Sequence, residues 1–331
     1  MIPASAIEVV VPAHDAAHFL RPTLEAIAAQ TRPPARVTVV DDRSTDGTPD
    51  LAEALARELA PRLAIRLLRN AGPRGPAAAR NTAIRASGAA WIALCDADDL
   101  LLPDHHATLA AIAAAPGTTL AFGDCSLFDG ATGATLVPSH HAKSRLLELP
   151  AEATPEGGLR LRGSSFAALL RGPRVPTSAS FLHRDAVMRA GLFDEAMMFA
   201  EDADLFLRLA WLGGVVFTDR CIARKRVHPA NMSGEANRAG FTHGDLVTRV
   251  RLRTIARSAD PAPFRPGPDD LAVCEEMVPR AVRAHLYDAS RAGLPAYAEA
   301  ARLARRAGLG RLALAPRNLA RALAFALRPL G

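Results

Sequence analysis

The first hundred residues alternate short apolar runs with helical segments, and this alternation restricts the fold more than any other feature of the chain. Four runs are predicted to be strands, at residues 7–11, 36–40, 63–68 and 90–95. Segments with helical spacing of apolar residues lie between them, at residues 19–30, 48–59 and 76–87. This repeated strand–helix order predicts an α/β fold with a parallel sheet covered by helices.

Acidic residues follow two of these predicted strands. Asp42 comes after the second strand, and the run Asp96–Asp99 comes after the fourth. Ligands of open α/β sheets bind outside the carboxyl ends of the strands, so we expect the two acidic groups to meet at one crevice. Carboxylates are suitable ligands for Mg²⁺ or Mn²⁺, which also bind phosphate oxygens. Taken alone, however, Asp-Ala-Asp-Asp is more often a solvated acidic turn than a metal site.

The pattern is looser after residue 104. The predicted elements are a helix at 103–115, a strand at 119–122, a Gly-, Pro-, His- and Arg-rich connection at 129–175, a strand at 178–182, and helices at 184–190 and 199–212. A short strand at 215–217 follows, and the chain is predicted to be helical after about residue 234. We therefore expect one domain over residues 1–233 and a helical region over residues 234–331.

Positive charge is concentrated at the C-terminal end of the chain. The net charge is +6, and residues 302–328 contain seven arginines and no acidic residue. Leu319, Leu323 and Leu327 recur at intervals of four, which is typical of a basic amphipathic helix. One interpretation is peripheral attachment to an anionic membrane surface, and the other is a helix that packs on the catalytic domain with a solvated arginine face. A basic tail on an otherwise mixed chain gives no reason to expect nucleic-acid binding.

The cysteines and the hydropathy of the chain bear on its compartment. The four cysteines lie far apart without C-x-x-C spacing, which favours reduced thiols in the cytosol. We find no secretory signal and no run of 18 apolar residues, so the expected location is cytoplasmic, with the inner face of the plasma membrane as a peripheral site. The pairs His105–His106 and His140–His141 lack partners at metal-ligand spacing and are predicted to be ordinary structural residues.

Several motifs occur in order at fitting spacings. They are Val10-Val11-Pro12-Ala13-His14-Asp15, Asp41-Asp42-Arg43-Ser44-Thr45-Asp46-Gly47-Thr48, Ala78-Ala79-Arg80-Asn81, Asp96-Ala97-Asp98-Asp99, Gly191-Leu192-Phe193-Asp194-Glu195, and Glu201-Asp202-Ala203-Asp204-Leu205 with Arg208. Together they resemble the family 2 glycosyltransferases of the GT-A fold, over residues 6–233. The resemblance implies a Rossmann-like mixed sheet flanked by helices as the catalytic domain, with a C-terminal helical region added to it.

The resemblance also implies a reaction and a set of site residues. The reaction is transfer of a sugar from a nucleotide-diphosphate donor, with UDP favoured, to a hydroxyl of a saccharide, lipid-linked or other acceptor. It proceeds with inversion and serves cell-surface polysaccharide or glycan synthesis. The residues implied to bind the nucleotide sugar are Pro12, His14, Asp42, Arg80, Asp96 and Ala97. Asp98 and His228 would hold a divalent Mn²⁺ or Mg²⁺ ion, and Asp202 would be the general base, although acids also suit a helix start.

The chain departs from the family pattern at three positions, and other functions remain to be compared. It has His14-Asp15 where the family has Tyr-Asn, Arg43 where Gly is usual, and Ala83 where Gly often follows Arg-Asn. The alternatives are a non-catalytic nucleotide-sugar binding protein and a nucleotidyltransferase on a related fold. A nucleotidyltransferase would need a Gly-rich basic loop after the first strand, and a dinucleotide-dependent dehydrogenase would need Gly-x-Gly-x-x-Gly, which is missing.

Overall fold

The computed structural model describes residues 2–172 and 175–326. The chain divides into two compact units: residues up to 197 together with 201–228 form one, and residues 198–200 together with the chain from 229 onward form the other. Eleven strands lie in the described part of the first unit, and they form one mixed sheet. The strands are β1 (Ile7–Ala13), β2 (Arg36–Asp41), β3 (Ile65–Arg69), β4 (Trp91–Leu94), β5 (Leu100–Leu101), β6 (Thr118–Asp129), β7 (Thr135–Val137), β8 (Ala151–Ala153), β9 (Leu159–Leu161), β10 (Ser180–His183) and β11 (Gly214–Val227).

Helices cover this sheet and connect its strands. They are α1 (Ala17–Ala28), α2 (Thr48–Leu59), α3 (Pro76–Ala86), α4 (His105–Ile112), α5 (His140–Ser144), α6 (Ser165–Arg171), α7 (Arg184–Arg189) and α8 (Glu201–Leu212). The strand order is β3-β2-β1-β4-β10-β6-β11-β9-β8, with β5 paired to β11 and β7 paired to β6. The predicted α/β sheet with flanking helices is therefore confirmed.

The crevice at the carboxyl edge of the sheet follows from this order. β1 is buried and pairs in parallel with β2 on one side and with β4 on the other. The chain moves outward from β1 through β2 to β3 and then returns to the opposite side of β1. Such a reversal of direction leaves an opening outside the carboxyl ends of the central strands, where ligands of α/β proteins bind.

Two strands are much longer than the sequence predicted. β6 has 12 residues and β11 has 14, and they pair in parallel from Thr118 and Gly214 to their carboxyl ends, with register shifts near Cys221. The sequence predicted only residues 119–122 and 215–217 as strands. In β11 the reason is that its second half carries Arg224, Lys225 and Arg226, where an apolar strand pattern would be expected. These charged residues lie at the carboxyl edge of the sheet, so the strand forms there without apolar alternation.

The segment 129–175 was predicted to be an irregular connection and instead contains β7, α5, β8, β9 and α6. One buried carboxylate attaches its first part to the sheet. Asp124 on β6 accepts hydrogen bonds from the hydroxyl of Ser139 and from the backbone N–H of His141. A single long-range anchor of this kind leaves no local signal in the sequence.

The second unit is helical and has its own core. Its helices are α9 (Arg238–Ala256), α10 (Pro268–Arg291), α11 (Leu294–Arg306), α12 (Gly310–Ala313) and α13 (Pro316–Ala326). Leu246, Val278, Val282, Leu286 and Tyr297 are among the buried residues that pack together there. Over the described ranges of the chain, no helix combines the length and the apolar content that a membrane-spanning segment requires.

The adjacent histidines of α4 lie in the core of the first unit. Both His105 and His106 are fully buried, and they contact Phe181. His106 donates from Nδ1 to the carbonyl oxygen of Arg32 at 3.2 Å, which leaves Nε2 without a partner. Burial lowers the pKa of His106 to about 4, although the hydrogen bond to Arg32 opposes this effect. His106 is therefore a neutral core residue at neutral pH.

This burial predicts that acid destabilises the protein through His106. The folded-state pKa lies below the unfolded value of about 6.5, so the unfolded chain binds more protons between these values and stability falls as pH decreases. Between pH 7 and pH 5, the free energy of unfolding should fall by about 2 kcal/mol less in His106→Leu than in the wild type, as measured by urea unfolding followed by circular dichroism. His18→Leu, at an exposed position of α1, is the control, and its free energy of unfolding should fall by as much as that of the wild type. Equal pH dependence in His106→Leu and wild type would contradict the prediction.

Candidate active site

The turn after β4 brings three carboxylates together. Oxygen atoms of Asp96, Asp98 and Asp99 all lie within 4.8 Å of one another, a spacing that suits the ligands of one metal ion. The backbone of the turn is fixed by α1, because the Thr23 hydroxyl lies 2.8 Å from the carbonyl oxygen of Ala97 and 2.9 Å from that of Asp99. Ala97, predicted to bind the nucleotide sugar, is itself buried, and its carbonyl oxygen accepts this hydrogen bond from Thr23.

Asp99 is the innermost of the three acids and is only 2% exposed. The Ser178 hydroxyl donates to its Oδ2 at 2.6 Å, and the backbone N–H of Arg226 donates to its Oδ1 at 2.9 Å. Burial, and then the charges of Asp98 and Asp96, raise the pKa of Asp99 to about 8. Asp99 thus attaches β11 and the turn at Ser178 to the end of β4, while Asp96 and Asp98 are partly exposed.

Asp98 and His228, the two predicted metal ligands, lie side by side. His228 Nε2 is 2.9 Å from Asp98 Oδ2, and the imidazole stacks on the ring of Phe19 with centroids 4.5 Å apart. Arg226 donates from Nε to the carbonyl oxygen of Asp98 at 2.9 Å. The long strand β11 thereby carries His228, distant in sequence, to the acid cluster.

Arg80 joins the acid cluster to the start of α8. Its Nη2 donates to Asp96 at 2.8 Å and its Nη1 donates to Glu201 at 2.7 Å, although the residue is only 4% exposed. Burial alone would lower the pKa of Arg80, but the charges of Asp96, Glu201 and Asp202 outweigh it and raise that pKa. Burial, and then the charge of Asp202, raise the pKa of Glu201 to about 7 against the opposing effect of Arg80.

Asp202, the predicted general base, is the second residue of α8 and is partly buried. Its Oδ2 accepts a hydrogen bond from the Thr177 hydroxyl at 2.6 Å. Because Glu201 is bound to Arg80, and Arg80 to Asp96, the start of α8 is attached to the acid cluster. The structure thus brings Asp202, Arg80 and Asp96 to one region of the sheet edge.

Asp42 lies at the neighbouring strand end and is 4% exposed. Its carboxylate accepts from the side chain of Asn70 at 2.7 Å, from the backbone N–H of Gly75 at 2.7 Å, and from Arg43 at 3.0 Å. Gly75 immediately precedes α3, so Asp42 satisfies an amide at the start of that helix. Arg43 has φ +62°, a conformation that glycine adopts without strain, which accounts physically for the glycine usual at this position in the resembling family.

His14 and Pro12 lie at the end of β1, beside Asp42. His14 Nδ1 donates to the carbonyl oxygen of Asp42 at 2.8 Å, and its Nε2 accepts from Arg74. The contact with the carbonyl oxygen requires the proton on Nδ1. Pro12 is half-buried and pairs with Val40 of β2. These residues and Asp42 form the part of the edge predicted to receive the nucleotide.

The motif Ser44–Thr48 has a structural explanation. The Thr48 hydroxyl and the Asp46 carboxylate accept from the backbone N–H groups of Ala16 and Ala17, both at 2.9 Å, and so cap α1 from a neighbouring loop. Burial would raise the pKa of Asp46, but the hydrogen bonds from Thr48 and Ala17 lower it overall. In return, Asp15 accepts from the backbone N–H of Thr45 at 2.7 Å. The motif therefore joins the loops after β1 and β2.

Some residues of the site were missed by the sequence analysis. Lys225 is the most prominent: burial lowers its pKa, but Asp99, Asp96, Asp202 and Asp98 together raise it, so its ammonium is within electrostatic reach of the whole cluster. The run Arg224-Lys225-Arg226 shortly before His228 was the available signal. Thr177 carried none, because its role depends on a long-range contact.

The fold and the site together define the GT-A class of glycosyltransferase folds. Solved structures of similar shape agree. One is the mannosyltransferase PcManGT from Pyrobaculum calidifontis in complex with GDP-Man and Mn²⁺, with a TM-score of 0.59, 22% identity, and coverage of 100% of this chain and 90% of that one. Another is residues 1–349 of S. aureus TarS in complex with UDP-GlcNAc, with a TM-score of 0.63, 16% identity, and coverage of 97% and 89%.

The chain belongs to glycosyl transferase family 2, whose model matches residues 8–173. Among curated relatives, the succinoglycan biosynthesis protein ExoO of Rhizobium meliloti is 29% identical over 205 residues, which are 62% of this chain and 56% of the relative. The succinoglycan biosynthesis protein ExoU of the same organism is 29% identical over 178 residues, 53% of this chain and 48% of the relative. The chain thus matches about half the length of these relatives.

The Arg80 contacts predict a large difference between two arginines of α3. Arg80→Met leaves the carboxylates of Asp96 and Glu201 without their cation, so we expect a loss of about 3 kcal/mol or more in the free energy of unfolding. Arg85→Met is the matched control, because Arg85 is half exposed and its pair with Glu195 is worth at most about 1 kcal/mol. Urea unfolding measures both variants. Similar losses in the two variants would show that Arg80 is not the central countercharge of the site.

Proposed function

We propose that this chain transfers a sugar from a nucleotide-diphosphate donor to an acceptor hydroxyl, with inversion at the anomeric carbon. The observation that carries the proposal is the attachment of Asp202 to the acid cluster through Glu201, Arg80 and Asp96. A carboxylate for the acceptor proton and carboxylates for a phosphate-bound cation thus occupy one sheet edge. Membership of family 2 supports the same reaction.

In this reaction Asp202 serves the acceptor, and Arg80 and Asp96 serve the donor. The acceptor hydroxyl oxygen forms a bond to the anomeric carbon, the bond from that carbon to the diphosphate oxygen breaks, and the diphosphate leaves with the bonding electrons. Asp202 accepts the hydroxyl proton, which makes the oxygen a better nucleophile. Arg80 keeps Asp96 oriented on the donor side, and attack from the side opposite the leaving group gives inversion.

The acid cluster fits a divalent cation. Three carboxylates within 4.8 Å of one another and an imidazole at 2.9 Å from Asp98 are a donor set for Mn²⁺ or Mg²⁺. Asp98 and His228 would hold the ion, with Asp96 beside them. When bound, such an ion stabilises negative charge on a diphosphate leaving group. The Mn²⁺ in the PcManGT complex supports this assignment.

We assign the nucleotide to the side of Pro12, His14 and Asp42, with UDP favoured. The TarS complex contains UDP-GlcNAc and the PcManGT complex contains GDP-Man, so both nucleotides belong in a first test. The succinoglycan relatives support a role in polysaccharide synthesis, with a saccharide or lipid-linked acceptor. In this proposal, residues 1–233 form the catalytic domain.

Two substitutions should fail in different ways. Asp98→Asn is expected to remove the Mn²⁺-dependent part of nucleotide binding and to lower release of nucleoside diphosphate by about 100-fold or more. Asp202→Asn is expected to leave nucleotide affinity within about twofold and to lower turnover by about 100-fold or more. Thermal shift with Mn²⁺ and a set of donors (UDP-glucose, UDP-galactose, UDP-GlcNAc and GDP-mannose) identifies the best donor. Its hydrolysis, with water as the acceptor, measures turnover.

The control is Asp50→Asn, which removes an exposed acid of α2 and should behave as the wild type. Full activity of Asp98→Asn would remove the metal role, and loss of nucleotide binding in Asp202→Asn would make that residue structural. A wild type that binds donors without turnover would favour the non-catalytic binding protein, and pyrophosphate release from a nucleoside triphosphate would favour the nucleotidyltransferase.

We further propose that the cytoplasmic enzyme attaches peripherally to the inner face of the plasma membrane through α13. Leu319 and Leu323 are 39% and 55% exposed and lie one turn apart, with the exposed Arg317 on the same helix. Arg321 instead lies over the ring of Tyr287 at 4.8 Å, so part of the arginine row packs within the helical unit. Leu327 and Arg328, the end of the predicted amphipathic pattern, lie outside the described residues.

Liposome flotation tests this attachment. The wild type is expected to float with vesicles of anionic phosphatidylglycerol and less with neutral phosphatidylcholine, and the double variant Leu319→Ser/Leu323→Ser should stay in the soluble fraction. Leu136→Ser/Leu147→Ser removes two exposed leucines of the first unit and should float as the wild type does. If the α13 variant floats as well as the wild type, α13 is not the attachment site.

A further inference from the structure

A closed ring of contacts connects the general base to the acid cluster. Starting at Asp96, the ring runs through Arg80 at 2.8 Å to Glu201 at 2.7 Å, and along the backbone to Asp202. From Asp202 it continues to the Thr177 hydroxyl at 2.6 Å and along the backbone to Ser178. The Ser178 hydroxyl then accepts from the backbone N–H of Asp96 at 3.0 Å, which closes the ring.

The two arms of the ring act on different parts of Asp202. The Arg80 arm attaches the backbone at the start of α8, because Glu201 precedes Asp202. The Thr177 arm instead reaches the carboxylate, since the hydroxyl donates directly to Oδ2. The other oxygen of Asp202, Oδ1, accepts from the backbone N–H of Ala203 at 2.7 Å, a contact within α8 itself. The Thr177 hydroxyl ties the carboxylate to the turn beside the acid cluster, and so fixes the direction of Oδ2 relative to those acids.

The turn that presents Thr177 is anchored independently of its hydroxyl. Thr177 and Ser178 belong to one 3₁₀ turn, Thr177–Ala179. The Ser180 hydroxyl donates to the carbonyl oxygen of Thr177 at 2.7 Å, and Ser178 donates to Asp99 at 2.6 Å. Removal of the Thr177 hydroxyl should therefore leave the turn and the acid cluster in place.

We infer that Thr177 is a positioning residue for sugar transfer, and that Thr177 and Ser178 together set the placement of the base relative to the acids that serve the leaving group. This inference rests on the proposed function, since it takes Asp202 as the base. Catalytic groups lose rate steeply when their geometry relaxes, whereas ligand affinity depends on contacts elsewhere. Loss of the hydroxyl should thus lower turnover without lowering nucleotide affinity.

The test compares Thr177→Val, which has nearly the same shape without the hydroxyl, with Thr177→Ser, which restores the hydroxyl. The probe is the donor that the wild type prefers among UDP-glucose, UDP-galactose, UDP-GlcNAc and GDP-mannose, with Mn²⁺ and with water as the acceptor. We expect kcat of Thr177→Val to fall about 10- to 100-fold, with KM for the donor and Kd for its nucleoside diphosphate within about twofold of the wild type. Thr177→Ser should recover kcat to within about threefold of the wild type.

Thr119→Val is the control, because Thr119 is a buried threonine whose hydroxyl also makes hydrogen bonds, in this case to the carbonyl oxygens of Leu209 and Gly214. It should keep the wild-type kcat. Wild-type turnover in Thr177→Val, a parallel loss of kcat and nucleotide affinity, or a Thr177→Ser variant as slow as Thr177→Val would each overturn the inference. Absence of turnover in the wild type would instead refute the proposed function, so the two failures are distinguishable.

Discussion

The buried guanidinium of Arg80, held between Asp96 and Glu201, is the interaction on which the carboxyl edge of the sheet depends. Asp96, Asp98, Asp99, Glu201 and Asp202 lie within one electrostatic neighbourhood, and they would repel one another without countercharges. Arg80 and Lys225 supply two positive charges there. The raised pKa values of Asp99 and Glu201 reflect this crowding of acids, which the two cations relieve in part.

The sequence predicted well the strands of the N-terminal half of the sheet and the acids that follow them. β1, β2 and β4 are short, apolar and buried, so periodicity alone identified them and placed Asp42 and Asp96–Asp99 at one edge. The carboxyl part of β11 was harder to predict, because its Arg-Lys-Arg run lacks the alternation of apolar and polar residues that marks a half-buried strand. The position of His228 was predicted by family resemblance, whereas its contact with Asp98 required the pairing of β6 with β11.

Polar motifs were more difficult to interpret than apolar ones, since a polar residue can serve the ligand or the fold. Asp46 and Thr48 belong to a motif of the family, yet their contacts cap α1. Asn81, beside Arg80, exchanges hydrogen bonds with the backbone of Phe193 and so holds the segment that leads toward Glu201. Thr177, by contrast, belongs to no motif and contacts the candidate base directly. The distinction depends on tertiary contacts between residues far apart in sequence, which local spacing does not encode.

The two sides of the site are built from different elements. The acid turn is hydrogen-bonded to α1, α3 and β11, and through Arg80 it is connected to α8. On the side proposed for the nucleotide, His14 and Arg43 belong to loops, and Asp15 and Arg43 adopt positive φ. Two of the departures from the family pattern, His14-Asp15 and Arg43, fall on this loop side. Because the ring around Asp202 does not include these loops, substitutions in them leave the contacts of the ring in place.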